Sequence, residues 1–116
     1  MAGLVERLSA HYPLVLLSNV DCYYWKVVEA AHPELRHFDA LLLSCELGLA
    51  KPDPEIFAHA ARTAGAEPSR CLFVDDSPVN IDAARALDFQ THCFRDAPGL
   101  LQRLREVGAR GIEGST

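Results

Sequence analysis

Residues 72–87 read LFVDDSPVNIDAARAL, and this stretch decides the fold. The run Cys71-Leu72-Phe73-Val74 is apolar at every position and stops at Asp75-Asp76. So short a run, ended by polar residues, has the pattern of a strand buried on both faces. Ser77-Pro78 then supplies a cap and a first-turn proline. Val79, Ile81, Ala84 and Leu87 form the expected inner face of the helix that follows. A buried strand running straight into an amphipathic helix is half of a βαβ unit.

The same alternation extends outward in both directions. Upstream, Asp53-Pro54-Glu55 carries a capping residue, a proline for the first turn and an acid for the positive helix end. Ile56, Phe57, Ala60, Ala61 and Ala64 follow at helical spacing, and Gly65 closes the segment. Ala40–Leu43 is a second apolar run, followed by a loop over Ser44–Pro52. Cys22–Ala31 reads as a helix broken by His32-Pro33, and Leu14–Leu17 as a strand ending at Ser18-Asn19. Residues 3–11 read as a helix with Leu4, Val5 and Leu8 on one face. Downstream, Gln90–Phe94 alternates like a strand, and Asp96 caps a last helix bearing Leu100, Leu101, Leu104 and Val107. The expectation is an α/β fold: a three-layer, Rossmann-like parallel sheet of about four strands with flanking helices. Residues 1–107 form its core and 108–116 a flexible tail.

Composition bounds the function. The chain has 116 residues, room for one domain, with 49% apolar and 23% charged residues, so disorder is not expected. Eleven Lys+Arg against 16 Asp+Glu give a net charge of −5, without the basic footprint that nucleic acid requires. No apolar run is long enough to span a bilayer. Met1–Tyr12 holds Glu6 and Arg7 in place of an apolar leader core, so a cytoplasmic location is expected. Cys22, Cys45, Cys71 and Cys93 form no C-x-x-C pair and are expected as reduced core thiols. His11, His32, His37, His59 and His92 lack metal-ligand spacing and are expected at the surface or at element ends.

Ligands of open parallel sheets bind beyond the carboxyl ends of the strands. Three such ends carry polar residues here: Ser18-Asn19, the loop leading to Lys51, and Asp75-Asp76 with Asn80 one helical turn on. Taken singly, each is more often a turn, a cap or a solvated side chain. Taken together they suit one task. A hydroxyl and an amide can donate to phosphoryl oxygens, a lysine can neutralise their charge, and carboxylates with retained water suit Mg²⁺.

LVLLSN (14–19), GLAKPDPEIF (48–57) and LFVDDSPVNIDAARAL (72–87) resemble motifs II, III and IV of the haloacid dehalogenase-like hydrolases, over about Val5 to Val107. The adjacent Asp pair resembles the Mg²⁺-dependent phosphatase branch. The resemblance implies that Ser18 and Asn19 bind the transferring phosphoryl group and that Lys51 stabilises it. It further implies that Asp75 and Asp76 ligate Mg²⁺, with Asn80 behind them, and that the substrate is a small phosphorylated metabolite. SNVDCYYW and HPELRHFDALLLSCELGLAKP are also similar to sugar-phosphate phosphatases of the family.

The departures from the family are equally specific. Motif I, a strand ending in Asp-x-Asp-Gly that supplies the nucleophile and the general acid, has no counterpart in Met1–Pro13, and there is no cap. Weak or absent Mg²⁺ binding follows. Asp88 stands where the family usually has a glycine, which puts the turn after that helix in question. The motif I strand lies between those of motifs II and IV, so without it the sheet should split into two halves with exposed inner edges. One of three outcomes is expected: direct pairing of strand 14–18 with strand 71–75, a swapped or edge-paired homodimer, or a cut-down fragment. The leading expectation is an incomplete phosphatase core that is inactive alone. The alternative is a non-catalytic phosphate-binding, regulatory or dimerising module. A phosphoacceptor receiver domain is set aside, because there the acidic pair precedes the lysine.

Overall fold

Four short strands form where expected, three at the apolar runs and one at the alternating segment: β1 (Val15–Ser18), β2 (Ala40–Leu43), β3 (Leu72–Asp75) and β4 (Gln90–Cys93). The structure, a computed structural model, describes residues 2–112. The helices are α1 (Ala2–Ser9), α2 (Cys22–Ala31), α3 (Ser44–Leu47), α4 (Pro54–Ala64), α5 (Pro78–Arg85) and α6 (Ala97–Glu106), with 3₁₀ turns at Pro33–His37 and Pro68–Arg70. The one-turn α3 occupies what reads as plain loop in the sequence.

Local chemistry sets most boundaries. Asp21 caps α2, its Oδ1 accepting from the backbone N–H of Tyr23 at 2.7 Å and of Tyr24 at 3.2 Å. Asp96 caps α6 by accepting from Gly99 N–H at 2.8 Å. Gly65 ends α4 in the left-handed region, at φ 72°. Asp53 and Ser77, expected as caps, make no side-chain cap bond. A proline at the first helical position follows each of them and presets the helical φ there, so each helix starts without a side-chain cap.

β1 pairs in parallel with β2, from Val15↔Ala40 to Ser18↔Leu43, and β3 with β4, from Leu72↔Gln90 to Asp75↔Cys93. The two pairs are separate sheets among the described residues. The split expected from the sequence is present, and direct pairing of β1 with β3 does not occur.

Apolar packing holds the halves together. Ile56 and Phe57 of α4 are 0% exposed and cluster with Ala61, Ala84 and Phe89. Leu17 of β1 and Phe73 of β3 both pack on that cluster, so α4 lies against both half-sheets. The Phe57 ring meets Phe73 edge-on at 5.1 Å between centroids and Phe89 at 5.9 Å. Full burial of a side chain of this size contributes roughly 1.5–3 kcal/mol. On the other face Leu72 packs with Leu4 of α1, Leu100 and Leu104 of α6, and Ile112. Three layers result.

Several expectations need correction. Residues 108–112, expected as the start of a tail, fold back: Ile112 is buried, and the N–H of Arg110 donates to the Tyr12 hydroxyl at 2.8 Å. The rest of the expected tail, 113–116, lies outside the described residues. Val79 is 63% exposed because it sits in the first turn of α5, beyond the strand end. Val74 is 38% exposed on a strand whose edge toward β1 carries no partner. His92 lies inside β4 opposite Val74, its Nε2 buried without a hydrogen-bond partner among the described residues.

Asp88 keeps the turn in which a glycine is usual. It adopts φ 70°, and the N–H of Phe89 donates across it to Ala84 O at 3.2 Å. A side chain in this left-handed region is strained, less so for Asp than for most residues. Asp88→Gly is therefore expected to stabilise the chain by roughly 0.5–1 kcal/mol in urea unfolding. A loss of stability would show that the carboxylate, and not the backbone, governs this turn.

Candidate functional site

The polar groups converge where the strands end. Lys51 Nζ donates to Asp75 Oδ2 at 2.8 Å, with side-chain exposures of 13% and 7%. Asn80, in the first turn of α5, donates to the same oxygen at 3.3 Å. Ser77 turns its backbone N–H to Asp75 Oδ1 at 2.9 Å. Asp75 is thus held by a cation, an amide and a main-chain donor.

Asn19 fixes the backbone from which Lys51 projects. Its Nδ2 donates to Lys51 O at 2.9 Å, and Lys51 N–H donates back to Asn19 Oδ1 at 2.9 Å. The residue at the tip of β1 therefore acts on the main chain of Lys51, and the Lys51 ammonium acts on the tip of β3. Ser18 is half-buried beside Asn19, and its hydroxyl takes no partner among the described residues. Asp76 is exposed next to Asp75; its carbonyl accepts a long contact from Cys93 Sγ at 3.8 Å. Asp21 is spent as the cap of α2.

Burial alone would push the Asp75 carboxyl up. The hydrogen bond from Lys51, the Ser77 N–H, the Lys51 charge and Asn80 outweigh it and hold the group below its ordinary value.

Two contributors were missed from the sequence. The Ser44 hydroxyl accepts from Val20 N–H at 2.9 Å and lies 3.4 Å from Val20 O. The rule that singled out Ser18, a hydroxyl at a strand's carboxyl end, would have found it directly after Leu43. The second is a disulfide between Cys22 and Cys45, with Cα atoms 5.7 Å apart, which corrects the expectation of four reduced thiols. The two are 23 residues apart in sequence. The parallel register that sets Ser18 beside Leu43 brings the segments after both strands together. Cys71 and Cys93 are free.

The chemistry of the donor set limits which divalent cation it could hold. No group of three His, Cys, Asp or Glu side chains gathers anywhere among the described residues. Asp75 and Asp76, consecutive in the chain at the end of β3, are oxygen donors of the kind that suits Mg²⁺, an ion that keeps several waters and takes one or two carboxylates plus a substrate phosphate. The pair does not suit a metal that demands a full protein cage.

The haloacid dehalogenase-like hydrolase profile matches residues 2–88, and the chain belongs to this family of hydrolases. It is 37% identical over 109 residues to a chloroplast flavin mononucleotide hydrolase of Arabidopsis thaliana, covering 93% of this chain and 44% of that protein. It is 36% identical over 92 residues to the D-ribitol-5-phosphate phosphatase of Bacteroides thetaiotaomicron, covering 72% of this chain and 44% of that one. Among solved structures, a family enzyme of Bacteroides thetaiotaomicron in complex with magnesium and inorganic phosphate superposes with a TM-score of 0.73. That match has 31% identity and covers 84% of this chain and 54% of the other. The chain thus spans about half the length of these relatives.

The lowered Asp75 pKa has a signed consequence. A carboxylate depressed in the folded state adds stability above its unfolded pKa, near 3.9, and loses it as pH falls through the lower folded value. Asp75→Asn should therefore cost roughly 2–4 kcal/mol near neutral pH, because it leaves the Lys51 charge poorly matched. The difference from the parent should shrink below about pH 4. Urea unfolding from pH 7 to pH 3 checks this, and a gap that stays constant or widens in acid would refute it.

Proposed function

We propose that this chain forms the phosphate-facing part of a phosphatase-type catalytic core acting on small phosphomonoesters. The observation that carries the reading is the junction of Asn19, Lys51, Asp75 and Asn80 at the strand ends. A phosphoryl group there would meet the Ser18 hydroxyl and the Lys51 ammonium. Partial exclusion of water makes a positioned cation worth more than it is in bulk solvent. Asn19 keeps the lysine backbone in place, and Lys51, Ser77 and Asn80 together hold Asp75 ionised.

Asp75 and Asp76 are the residues that would hold Mg²⁺, which would supply neutralisation of charge on the phosphoryl oxygens. The 116 residues contain no Asp-x-Asp-Gly. The nucleophile and general acid that the family uses are therefore not among them, and the chain by itself is expected to bind and not to hydrolyse. A second reading, a non-catalytic module that dimerises through its sheet edges, draws on the separation of β1 from β3.

Titrating the 116-residue chain with inorganic phosphate in the presence of Mg²⁺, and assaying p-nitrophenyl phosphate turnover, tests the proposal. The expected result is saturable phosphate binding, weakened at least tenfold (about 1.4 kcal/mol) in Lys51→Met, with no turnover. Absence of binding by the folded chain would overturn the phosphate site. Turnover abolished by Asp21→Asn would move the nucleophile to Asp21. Binding without turnover, together with a mass that rises with concentration in sedimentation, would favour the dimerising module.

A further inference from the structure

We propose that the Cys22–Cys45 bond is a redox-sensitive staple on the loop that carries Asn19, so that the oxidation state of this pair sets how firmly the backbone of Lys51 is held. Three observations converge on it. Both cysteines are solvent-exposed, so a small dithiol can reach the bond. The bond closes onto the ends of β1 and β2, with Cys22 as the first residue of α2 and Cys45 within α3. The residues just inside it are those that shape the site: Ser44 holds the backbone of Val20, and Asn19 holds that of Lys51.

Little else anchors this corner. Trp25 is the one buried residue of α2, and Tyr23, Tyr24 and Val27 are exposed. The four-residue α3 has no buried residue and no side-chain cap. A single helical turn is not stable without tertiary support. With the disulfide open, the Ser44–Val20 contact and the Asp21 cap are left to hold the loop, and fraying there passes directly to the Asn19–Lys51 pairing.

The chemistry balances with a dithiol reductant. Its thiolate attacks one sulfur, forms a mixed disulfide and releases the other cysteine, which takes up a proton. The second thiol of the reductant then displaces the remaining sulfur. Two electrons and two protons pass to Cys22 and Cys45, and the reductant leaves as its own disulfide. The other cysteines are poor participants. Burial pushes the Cys71 thiol up, and its Sγ donates to Glu67 O at 3.4 Å. Cys93 is half-buried against Asp76 O.

The staple concerns loop geometry and does not depend on the phosphatase reading, so hydrogen exchange reports it whether or not phosphate binds. The test compares backbone amide exchange of the full chain, air-oxidised and after dithiothreitol, with that of the Cys22→Ser/Cys45→Ser variant. Reduction should speed exchange at Val20, Tyr23 and Lys51, whose N–H groups donate to Ser44, Asp21 and Asn19, by roughly tenfold while β3 and β4 stay protected. The variant should show the fast pattern with or without reductant. If the variant does not fold, the parent chain with and without dithiothreitol decides alone. Unchanged exchange on reduction would overturn the proposal. So would alkylation of all four cysteines without reductant, or a loss of protection that extends equally into β3 and β4.

Discussion

Lys51 follows β2 in the chain, yet its ammonium lies 2.8 Å from the carboxylate of Asp75 at the tip of β3. One ion pair therefore crosses between two half-sheets that share no backbone ladder. Desolvating two charges is costly, and such a pair persists only when its remaining hydrogen-bonding capacity is met. Here Ser77 and Asn80 complete Asp75, while Asn19 fixes the lysine from the backbone side. β1, the lysine loop, β3 and α5 all meet in this one polar knot.

The apolar and polar parts of the fold divide the work. Below the strand ends, α4 presses Ile56 and Phe57 against both half-sheets and gives the molecule a common core. Above them, directional contacts set the positions of the charges. The hydrophobic term is large but indifferent to angle, whereas the contacts to Asp75 and to the Lys51 backbone are specific to within a few tenths of an ångström. A site that must present a cation to an anionic group needs the second kind of restraint, placed on top of the first.

The sequence made the strands and most helices legible because apolar runs and capping residues act locally. Leu72–Asp75 needs only its own side chains to read as a strand, and Asp96 only its own carboxylate to read as a cap. The convergence of Asn19, Lys51, Asp75 and Asn80 was legible in outline, since strand ends of a parallel sheet gather on one edge. What escaped the sequence depends on contacts between distant segments. Cys22 meets Cys45 only through the register of β1 against β2, and Ile112 is buried only through the return of the chain onto α1 and α6. The exposure of Val74 on a strand with one unpaired edge, and of Val79 beyond the strand end, likewise follows from which neighbours are present, information that periodicity does not carry.

A double-mutant cycle between Lys51→Met and Asp75→Asn, read by urea unfolding near pH 7, tests most directly whether this ion pair joins the half-sheets alongside the apolar packing of α4. The expected coupling energy is roughly 1–3 kcal/mol, because each single change strands the other partner in a poorly solvated place. A coupling within about 0.3 kcal/mol of zero would contradict it, and would leave the apolar contacts of α4 alone to join the two halves.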